Sequence, residues 1–144
     1  MNNNHIGNAG QHSVASMLER TGYTVGLLMS NEPNFDILIA APETGNMYKI
    51  QVKSTTTKDR RWRMNSKAET NVSDDLFYIC VKLGEDGHDD FYIVPSSFVA
   101  NYVYTSHREW LNKPGRNGKP HKDNSIRIFE LKDDTFLNRW DLLK

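Results

Sequence analysis

The chain has 144 residues, the size of one domain, with 18 basic and 18 acidic residues and a formal net charge of zero. This length is enough to bury a core without disulfides, and the single Cys80 excludes an internal disulfide, which favours a reducing compartment. No apolar run approaches the roughly twenty residues of a membrane-spanning helix and the N-terminus lacks a signal-peptide pattern, so we expect one cytoplasmic domain over residues 1–144 without membrane contact.

The first predicted element is a helix that opens at Gly7 to Gln11 and closes at Gly22-Tyr23. Its apolar residues recur at i, i+3, i+4 and i+7, which gives one stripe that packs on a sheet. This stripe consists of Val14, Met17, Leu18 and Thr21. A short strand is predicted next, from Thr24 to Met29.

An antiparallel hairpin is predicted after this strand. Phe35 to Ala41 and Tyr48 to Val52 are rich in β-branched and aromatic residues. The turn-forming stretch Pro42 to Asn46 joins them, which is the signature of a hairpin. The two strands are therefore expected to lie side by side.

A candidate metal site follows from this hairpin. Alternate side chains of a strand share a face, so Gln51 and Lys53 point one way while Ile50 and Val52 point into the core. The hairpin brings Asp36 near Gln51 and Lys53. Asp36, the Gln51 amide oxygen and the Val52 backbone carbonyl can hold a hard cation such as Mg²⁺ or Mn²⁺. Lys53 can then orient or deprotonate a water, or neutralise charge on a phosphate.

A structural interpretation of the same residues stays open. Asp36 can simply satisfy backbone groups at a strand edge, and Lys53 can be a solvated residue of the sheet. Either residue taken alone fits this interpretation, and only their combination behind the first helix indicates a site.

At these residues the chain resembles the PD-(D/E)XK superfamily of restriction-endonuclease-like nucleases. Asp36 matches the first acid of the family motif, and Gln51-Val52-Lys53 matches its (D/E)-x-K element in the Gln form found among Mrr-like relatives. Gln11 stands at about the helix position where Holliday-junction resolvases and Mrr-like enzymes carry a glutamate, which implies a supporting role. The resemblance implies an α/β fold with a mixed sheet flanked by helices, metal-dependent cleavage of DNA, and a homodimer in which two sites meet two strands.

Two glutamines depart from the carboxylates of many active relatives. With Gln11 and Gln51 neutral, the site has one acid, and a neutral ligand attracts a divalent ion less than a carboxylate does. A second hypothesis is therefore a nuclease-fold protein that binds nucleic acid or a protein partner without cutting.

Charge is unevenly distributed along the middle of the chain. Lys49 to Lys67 holds seven bases against one acid, and Glu69 to Asp90 holds seven acids against one base. The basic block predicts contacts with nucleic acid, with cations on phosphates and an aromatic face against a base. The predicted contact residues are Lys58, Arg60, Arg61, Trp62 and Arg63. A third hypothesis is an interaction protein that works through the acidic stretch.

Further elements are predicted in the second half of the chain. They are a weak helix around Met64 to Thr70, a hairpin of Leu76 to Leu83 with Phe91 to Val94, a helix from Pro95, a strand over Ile126 to Phe129, and a final helix capped by Asp133-Asp134. The stretch Lys113 to Lys122 contains two Pro and two Gly, which predicts a mobile loop. This loop either contacts DNA through Lys119, His121 and Lys122 or is an ordinary flexible excursion.

Overall fold

The computed structural model describes residues 1–28 and 34–144 and has an α/β architecture. Two helices, α1 (Asn3–Arg20) and α2 (Ser96–Asn112), flank a mixed sheet. The strands of the described residues are β1 (Thr24–Leu27), β2 (Ile37–Ala40), β3 (Met47–Thr55), β4 (Arg61–Asn65), β5 (Leu76–Lys82), β6 (Asp90–Pro95) and β7 (Ile126–Glu130). The predicted fold class is therefore confirmed.

Five strands form the main sheet in the order β1-β2-β3-β5-β6. Neighbouring strands are antiparallel apart from β3 and β5, which run parallel with Val52 opposite Ile79. A parallel pair needs a crossover connection, which here consists of β4 and a short 3₁₀ helix, Ser66–Glu69. β4 leaves the main sheet and pairs antiparallel with β7, so the two strands form a separate ribbon.

The predicted hairpin is present as β2 and β3. The Ala41 N–H donates to the Asn46 carbonyl at 2.8 Å, and the Gly45 N–H donates to the Ala41 carbonyl at 2.9 Å. Gly45 has a φ of 73°, a conformation that glycine adopts at little cost. The turn therefore fixes the register, with Ile37 opposite Ile50.

One face of the sheet, called the first face, packs against α1. Period-2 alternation sends Ile37, Ile50 and Val52 to this face, where they meet Val14 and Leu18 of the helix. A Cβ added at Gly10 would lie 1.7 Å from the Ser54 Oγ, so α1 can approach β3 this closely only with glycine there.

The opposite face, called the second face, is covered by α2 and the β4–β7 ribbon. The core on this side includes Tyr78 and Cys80 from β5, Val99 from α2, and Trp62 and Phe129 from the ribbon. The centre of the main sheet is therefore buried on both sides, which explains why β5 is buried along nearly its whole length.

Two predicted elements differ from the structure, and one observed strand was not predicted. The predicted final helix is replaced by a segment of bends and turns, because its backbone bonds to the edge of β6: the Ile93 N–H donates to the Phe136 carbonyl at 3.0 Å and the Asn138 N–H to the Phe91 carbonyl at 2.8 Å. Only Trp140–Leu143 is helical, as one 3₁₀ turn. The weak helix predicted around Met64 to Thr70 is likewise limited to the 3₁₀ helix Ser66–Glu69, and β4 was not predicted.

Two expectations from the sequence concern the first strand and the membrane. The first strand ends at Leu27, and Met29, its predicted end, lies outside the described residues.

Among the residues that the structure describes, neither α1 nor α2 is long and apolar enough to cross a membrane.

Candidate functional site

Asp36, Gln51 and Lys53 lie where the hairpin register places them. Ile37 pairs with Ile50, so the next step along the register brings Asp36 beside Gln51. Because Ile37 and Ile50 face α1, these neighbours point to the second face. The register therefore places the three predicted residues on one side of the sheet, where Gln51 and Lys53 line the same cavity.

The Asp36 carboxylate is anchored to the backbone of β3. Its Oδ2 accepts a hydrogen bond from the Val52 N–H at 2.8 Å, and the Asp36 N–H donates to the Ile50 carbonyl at 2.8 Å. In a strand the N–H and C=O of one residue point to the same side, so the Val52 carbonyl also points toward Asp36. The backbone role that the sequence left open for Asp36 is therefore present, and it orients the carboxylate beside the other oxygen donors.

Burial raises the pKa of Asp36 above its ordinary value of 3.8. The Val52 N–H and the charge of Lys53 oppose this shift, because both favour the ionised carboxylate. The balance shows that the charged carboxylate is less stable here than in water. A cation bound beside it would remove this penalty.

Asp36→Asn is expected to leave the protein at least as stable as the wild type at pH 7. Since the pKa of Asp36 is raised on folding, this group's stabilising contribution is complete below 3.8 and is lost as pH rises through the folded pKa. Asparagine keeps an oxygen for the Val52 N–H and carries no buried charge. Thermal unfolding between pH 4 and pH 8 should therefore show a difference in stability between Asp36→Asn and the wild type that shrinks as the pH is lowered.

Asp133→Asn is the control of opposite sign. Hydrogen bonds from the Thr135 side chain and backbone hold the pKa of Asp133 below its ordinary value, so its stabilising contribution is present above that value and is lost as pH falls through the folded pKa. The Asn variant should be less stable than the wild type at pH 7. If Asp36→Asn instead behaves like Asp133→Asn, the Asp36 carboxylate is a stabilising ion and our account of its burial is wrong.

Gln51 and Lys53 line a cavity of about 70 Å³ between β3 and the crossover connection. The residues that share it are Met64, Asn65, Lys67, Ala68, Asn71 and Tyr78. Burial raises the pKa of Tyr78 to about 12, so its hydroxyl is neutral at pH 7. Burial also raises the pKa of the neighbouring Cys80, which keeps that thiol protonated and unsuited to bind a metal.

The crossover connection contributes residues that sequence reasoning did not assign to the site. Asn71 Nδ2 donates to the Asn34 carbonyl at 3.1 Å, which ties the segment after the 3₁₀ helix to the chain that enters β2. Asn65 Oδ1 accepts from the Lys67 N–H at 3.1 Å and caps this helix. The basic character of residues 49–67 was the signal for Lys67, but no local pattern pointed to Asn71.

Gln11 lies on α1, and α1 packs on the first face while Gln51 and Lys53 point to the second. In the described part of the chain, Gln11 makes no side-chain hydrogen bond to Asp36, Gln51 or Lys53. Its supporting role stays a prediction.

The oxygen donors at the site can be compared with the needs of a cation. Residues 1–28 and 34–144 contain no group of three His, Cys, Asp or Glu side chains that could hold a metal ion. The Asp36 carboxylate, the Gln51 amide and the Val52 carbonyl are nevertheless hard oxygen donors. Mg²⁺ commonly keeps several waters and uses one or two carboxylates together with substrate phosphates, so this set fits a cation that binds with a phosphate-bearing substrate.

Trp62 does not offer a face to a base. It is 1% exposed, its Nε1–H donates to the Val81 carbonyl at 3.0 Å, and its ring packs against Tyr92 and Phe129. Strand alternation sends Trp62 inward and its neighbours Arg61 and Arg63 outward. The prediction that Trp62 contacts nucleic acid is therefore corrected: it is a core residue of the second face.

The basic residues around Trp62 have different surroundings. Arg60 donates to the Leu131 carbonyl at 2.8 Å and the Lys132 carbonyl at 2.6 Å, so it fixes the C-terminal segment. Arg61 lies 3.6 Å from Glu130, whereas Lys58 and Arg63 are exposed and make no ion pair with an acid in the described residues. Lys58, Arg61 and Arg63 are therefore better placed than Arg60 to meet a phosphate.

The predicted mobile loop forms a closed turn. The Gly115 N–H donates to the Lys119 carbonyl at 2.7 Å, and the His121 ring stacks on Trp110 with ring centres 4.1 Å apart. Lys119 and Lys122 remain exposed at this turn. His121 is instead held against α2, so its predicted DNA contact would require the stack with Trp110 to open.

The acidic stretch does not form one uniform surface. Glu69 pairs with buried Arg127 at 2.6 Å, Asp75 lies 3.9 Å from Lys49, and Asp89 accepts from Gly84 and Ser13. Three of the seven acids thus form ion pairs or hydrogen bonds with separate parts of the fold. This placement argues against the third hypothesis, an interaction protein acting through a smooth acidic face.

Comparisons with known proteins give a likeness of fold. No protein-family model matches the chain, and no curated protein matches it. Among solved structures, the chain is similar to a bacterial homing endonuclease, I-Ssp6803I, with a TM-score of 0.56 and 14% sequence identity. The likeness covers 99% of this chain and 91% of the other. At this identity it shows the fold alone, which is nuclease-like.

Proposed function

We propose that the protein is a metal-dependent DNA endonuclease that hydrolyses phosphodiester bonds at Asp36, Gln51 and Lys53. The observation that supports the proposal is the position of Asp36 against β3: its carboxylate accepts a hydrogen bond from the Val52 N–H, and the charge of Lys53 acts on it. The nuclease-like fold supports it, because the likeness to a homing endonuclease spans nearly the whole chain. The proposed family is PD-(D/E)XK, with Gln in the acidic slot of the (D/E)-x-K element.

Each group has a role in this proposal. Asp36, the Gln51 amide oxygen and the Val52 carbonyl would hold Mg²⁺ or Mn²⁺, which when bound polarises a phosphate oxygen and acidifies water. Lys53, whose charge acts on Asp36, is the group that neutralises charge developing on the phosphate or orients the attacking water. Gln11 is kept as a supporting residue on α1.

The single carboxylate makes metal binding depend on DNA. One negative charge attracts a divalent ion less than three do, and the phosphate oxygens of the substrate supply further anionic ligands. Metal and DNA should therefore bind together, each tightening the other. We propose that the enzyme works in the cytoplasm as a homodimer, so that two sites can reach two strands.

The experiment that tests the function is cleavage of supercoiled, linear, single-stranded and branched DNA with Mg²⁺, Mn²⁺ or a chelator. We expect cutting of at least one substrate with either metal and none with the chelator. Absence of cutting from every substrate, together with salt-sensitive DNA binding that the chelator does not change, would contradict the enzyme.

The same experiment decides the second candidate function, DNA binding without cleavage. The observation that favours it is the absence of a three-carboxylate group among the described residues, which limits the affinity for metal. In that case binding of DNA should be independent of metal and unaffected by Asp36→Asn. If Mn²⁺ strengthens DNA binding, Asp36→Asn abolishes the gain and the wild type cuts DNA, this second function is excluded.

A further inference from the structure

The outer face of the β4–β7 ribbon combines cations with exposed apolar side chains. Strand alternation buries Trp62, Met64 and Phe129 on the inner face. The outward residues pair across the ribbon as Arg61 with Glu130, Arg63 with Ile128 and Asn65 with Ile126. The ribbon thus presents a mixed polar and apolar surface on the side away from the core.

A groove of about 360 Å³ runs between this surface and the C-terminal half of α2. Ile126 is 39% exposed, and Ile128 and Trp110 are each 37% exposed. All three line the groove together with Arg61 and Glu130. An apolar surface of this kind, rimmed by charged residues, is typical of an interaction site.

The dimensions and chemistry of the ribbon fit the major groove of duplex DNA. That groove is about 12 Å wide and admits a two-stranded β-ribbon. Arginine side chains bond to guanine edges there, and apolar side chains contact the thymine methyl group. Arg63 lies beside Ile128 and makes no ion pair with an acid in the described residues, while the Asn65 oxygen is occupied as a helix cap. Arg63 and Ile128 are therefore the central pair of this surface.

Cations and the candidate site flank the groove. Trp110 at its wall stacks on His121, so the turn that carries Lys119 and Lys122 lies beside the groove. At the other side, β4 runs into Asn65, which lines the same cavity as Gln51 and Lys53. Among the described residues, Glu130 is the one acid that lines the groove, and Arg61 at 3.6 Å offsets its charge. The outer face of the ribbon and the candidate metal site are therefore connected along β4.

We infer that the outer face of the β4–β7 ribbon enters the major groove of B-form duplex DNA, with Arg63 and Ile128 against base edges and Lys119 and Lys122 on the flanking phosphates. The inference rests on the proposed function and deepens it by naming the β4–β7 ribbon as the element that contacts DNA bases, and Arg63 and Ile128 as its central residues. Single-stranded DNA and A-form RNA lack a major groove that this ribbon can enter.

The test is binding to two synthetic duplexes of the same sequence, with Ca²⁺ replacing Mg²⁺ so that cleavage does not intervene. In one duplex every cytosine carries a glucosylated hydroxymethyl group, which fills the major groove and leaves the minor groove open. We expect the wild type to bind the unmodified duplex about 10-fold more tightly. Arg63→Ala should weaken binding to the unmodified duplex by about 10-fold and leave binding to the glucosylated duplex little changed.

Arg20→Ala is the matched control, because Arg20 is equally an exposed arginine but lies on α1, across the sheet from the ribbon. It should bind both duplexes as the wild type does. Equal affinity of the wild type for the two duplexes, no binding to either, or equal effects of Arg63→Ala and Arg20→Ala would overturn the inference. A further outcome would also overturn it. If Arg63→Ala or Ile128→Ser changes the mass of the assembly measured by sedimentation but leaves DNA affinity unchanged, the groove holds a second copy of the chain.

Failure of this inference can be told apart from failure of the proposed function. If the enzyme cuts glucosylated and unmodified DNA equally, the proposed nuclease function stands, but the ribbon does not contact bases in the major groove. If glucosylation and Arg63→Ala weaken binding but no DNA is cut, the ribbon contacts bases in the major groove and the proposed nuclease function is excluded.

Discussion

Asp36→Asn and Lys53→Met are each expected to reduce metal-dependent DNA cleavage by about 100-fold or more. The first removes the only carboxylate among the proposed ligands, and the second removes the cation beside it. Both side chains are part-exposed, so neither change should unfold the protein. The measurement is the single-turnover cleavage rate at saturating Mn²⁺ on whichever substrate the wild type cuts.

Lys49→Met is the matched control for Lys53→Met. Lys49 lies on the same strand and the same face, but it pairs with Asp75 at 3.9 Å and contacts the Phe35 ring, away from the cavity. It should keep the wild-type rate within a few fold. Equal losses for the two lysine variants would mean that general DNA attraction, and not catalysis, explains the effect.

Gln51→Glu is expected to strengthen metal binding, and it is tested by the same cleavage measurement. The change adds a second carboxylate to the ligand set and restores the acidic form of the (D/E)-x-K element. Because a charged ligand attracts a divalent cation more strongly, the metal concentration for half-maximal cleavage should fall. If this concentration is unchanged, Gln51 does not face the cation and the proposed ligand set is wrong.

The hairpin and the residues it brings together could be predicted because every signal was local. The turn Pro42 to Asn46 sits between two apolar runs, and a period of two then fixes which side chains share a face. Asp36 and Lys53 therefore follow from the sequence alone. The hydrogen bond from the Val52 N–H to Asp36 did not follow, because it forms just before β2 begins, where a side chain replaces the missing strand partner.

The β4–β7 ribbon could not be predicted from local patterns. Residues 61–65 alternate exposed and buried, as a strand does, but their arginines gave the stretch the character of a basic surface. The partner strand lies some sixty residues downstream, and the cost of closing that loop is met only by core contacts that local sequence does not show. The segment of turns after Asp133 has a similar cause, since the edge of β6 offers backbone bonds that a helix would forgo.

Trp62→Ala is expected to lower the free energy of unfolding by about 3–5 kcal/mol, the usual cost of removing a buried tryptophan. The side chain is 1% exposed, packs against Tyr92 and Phe129, and supplies the hydrogen bond to the Val81 carbonyl. Its loss leaves a cavity between the ribbon and the main sheet. Urea unfolding followed by circular dichroism measures the change.

Trp62→Phe separates the core role from the DNA contact that the sequence had indicated. Phenylalanine keeps most of the packing but leaves the Val81 carbonyl without its donor, so we expect a loss of about 1–3 kcal/mol. DNA affinity, measured where the variant is folded, should equal that of the wild type. Arg63→Ala, one residue along the strand but facing outward, should show the reverse: near-normal stability and weakened DNA binding. A Trp62→Phe variant with normal stability and weakened binding would mean that the ring does contact a base, and that the ribbon opens from the sheet when DNA binds.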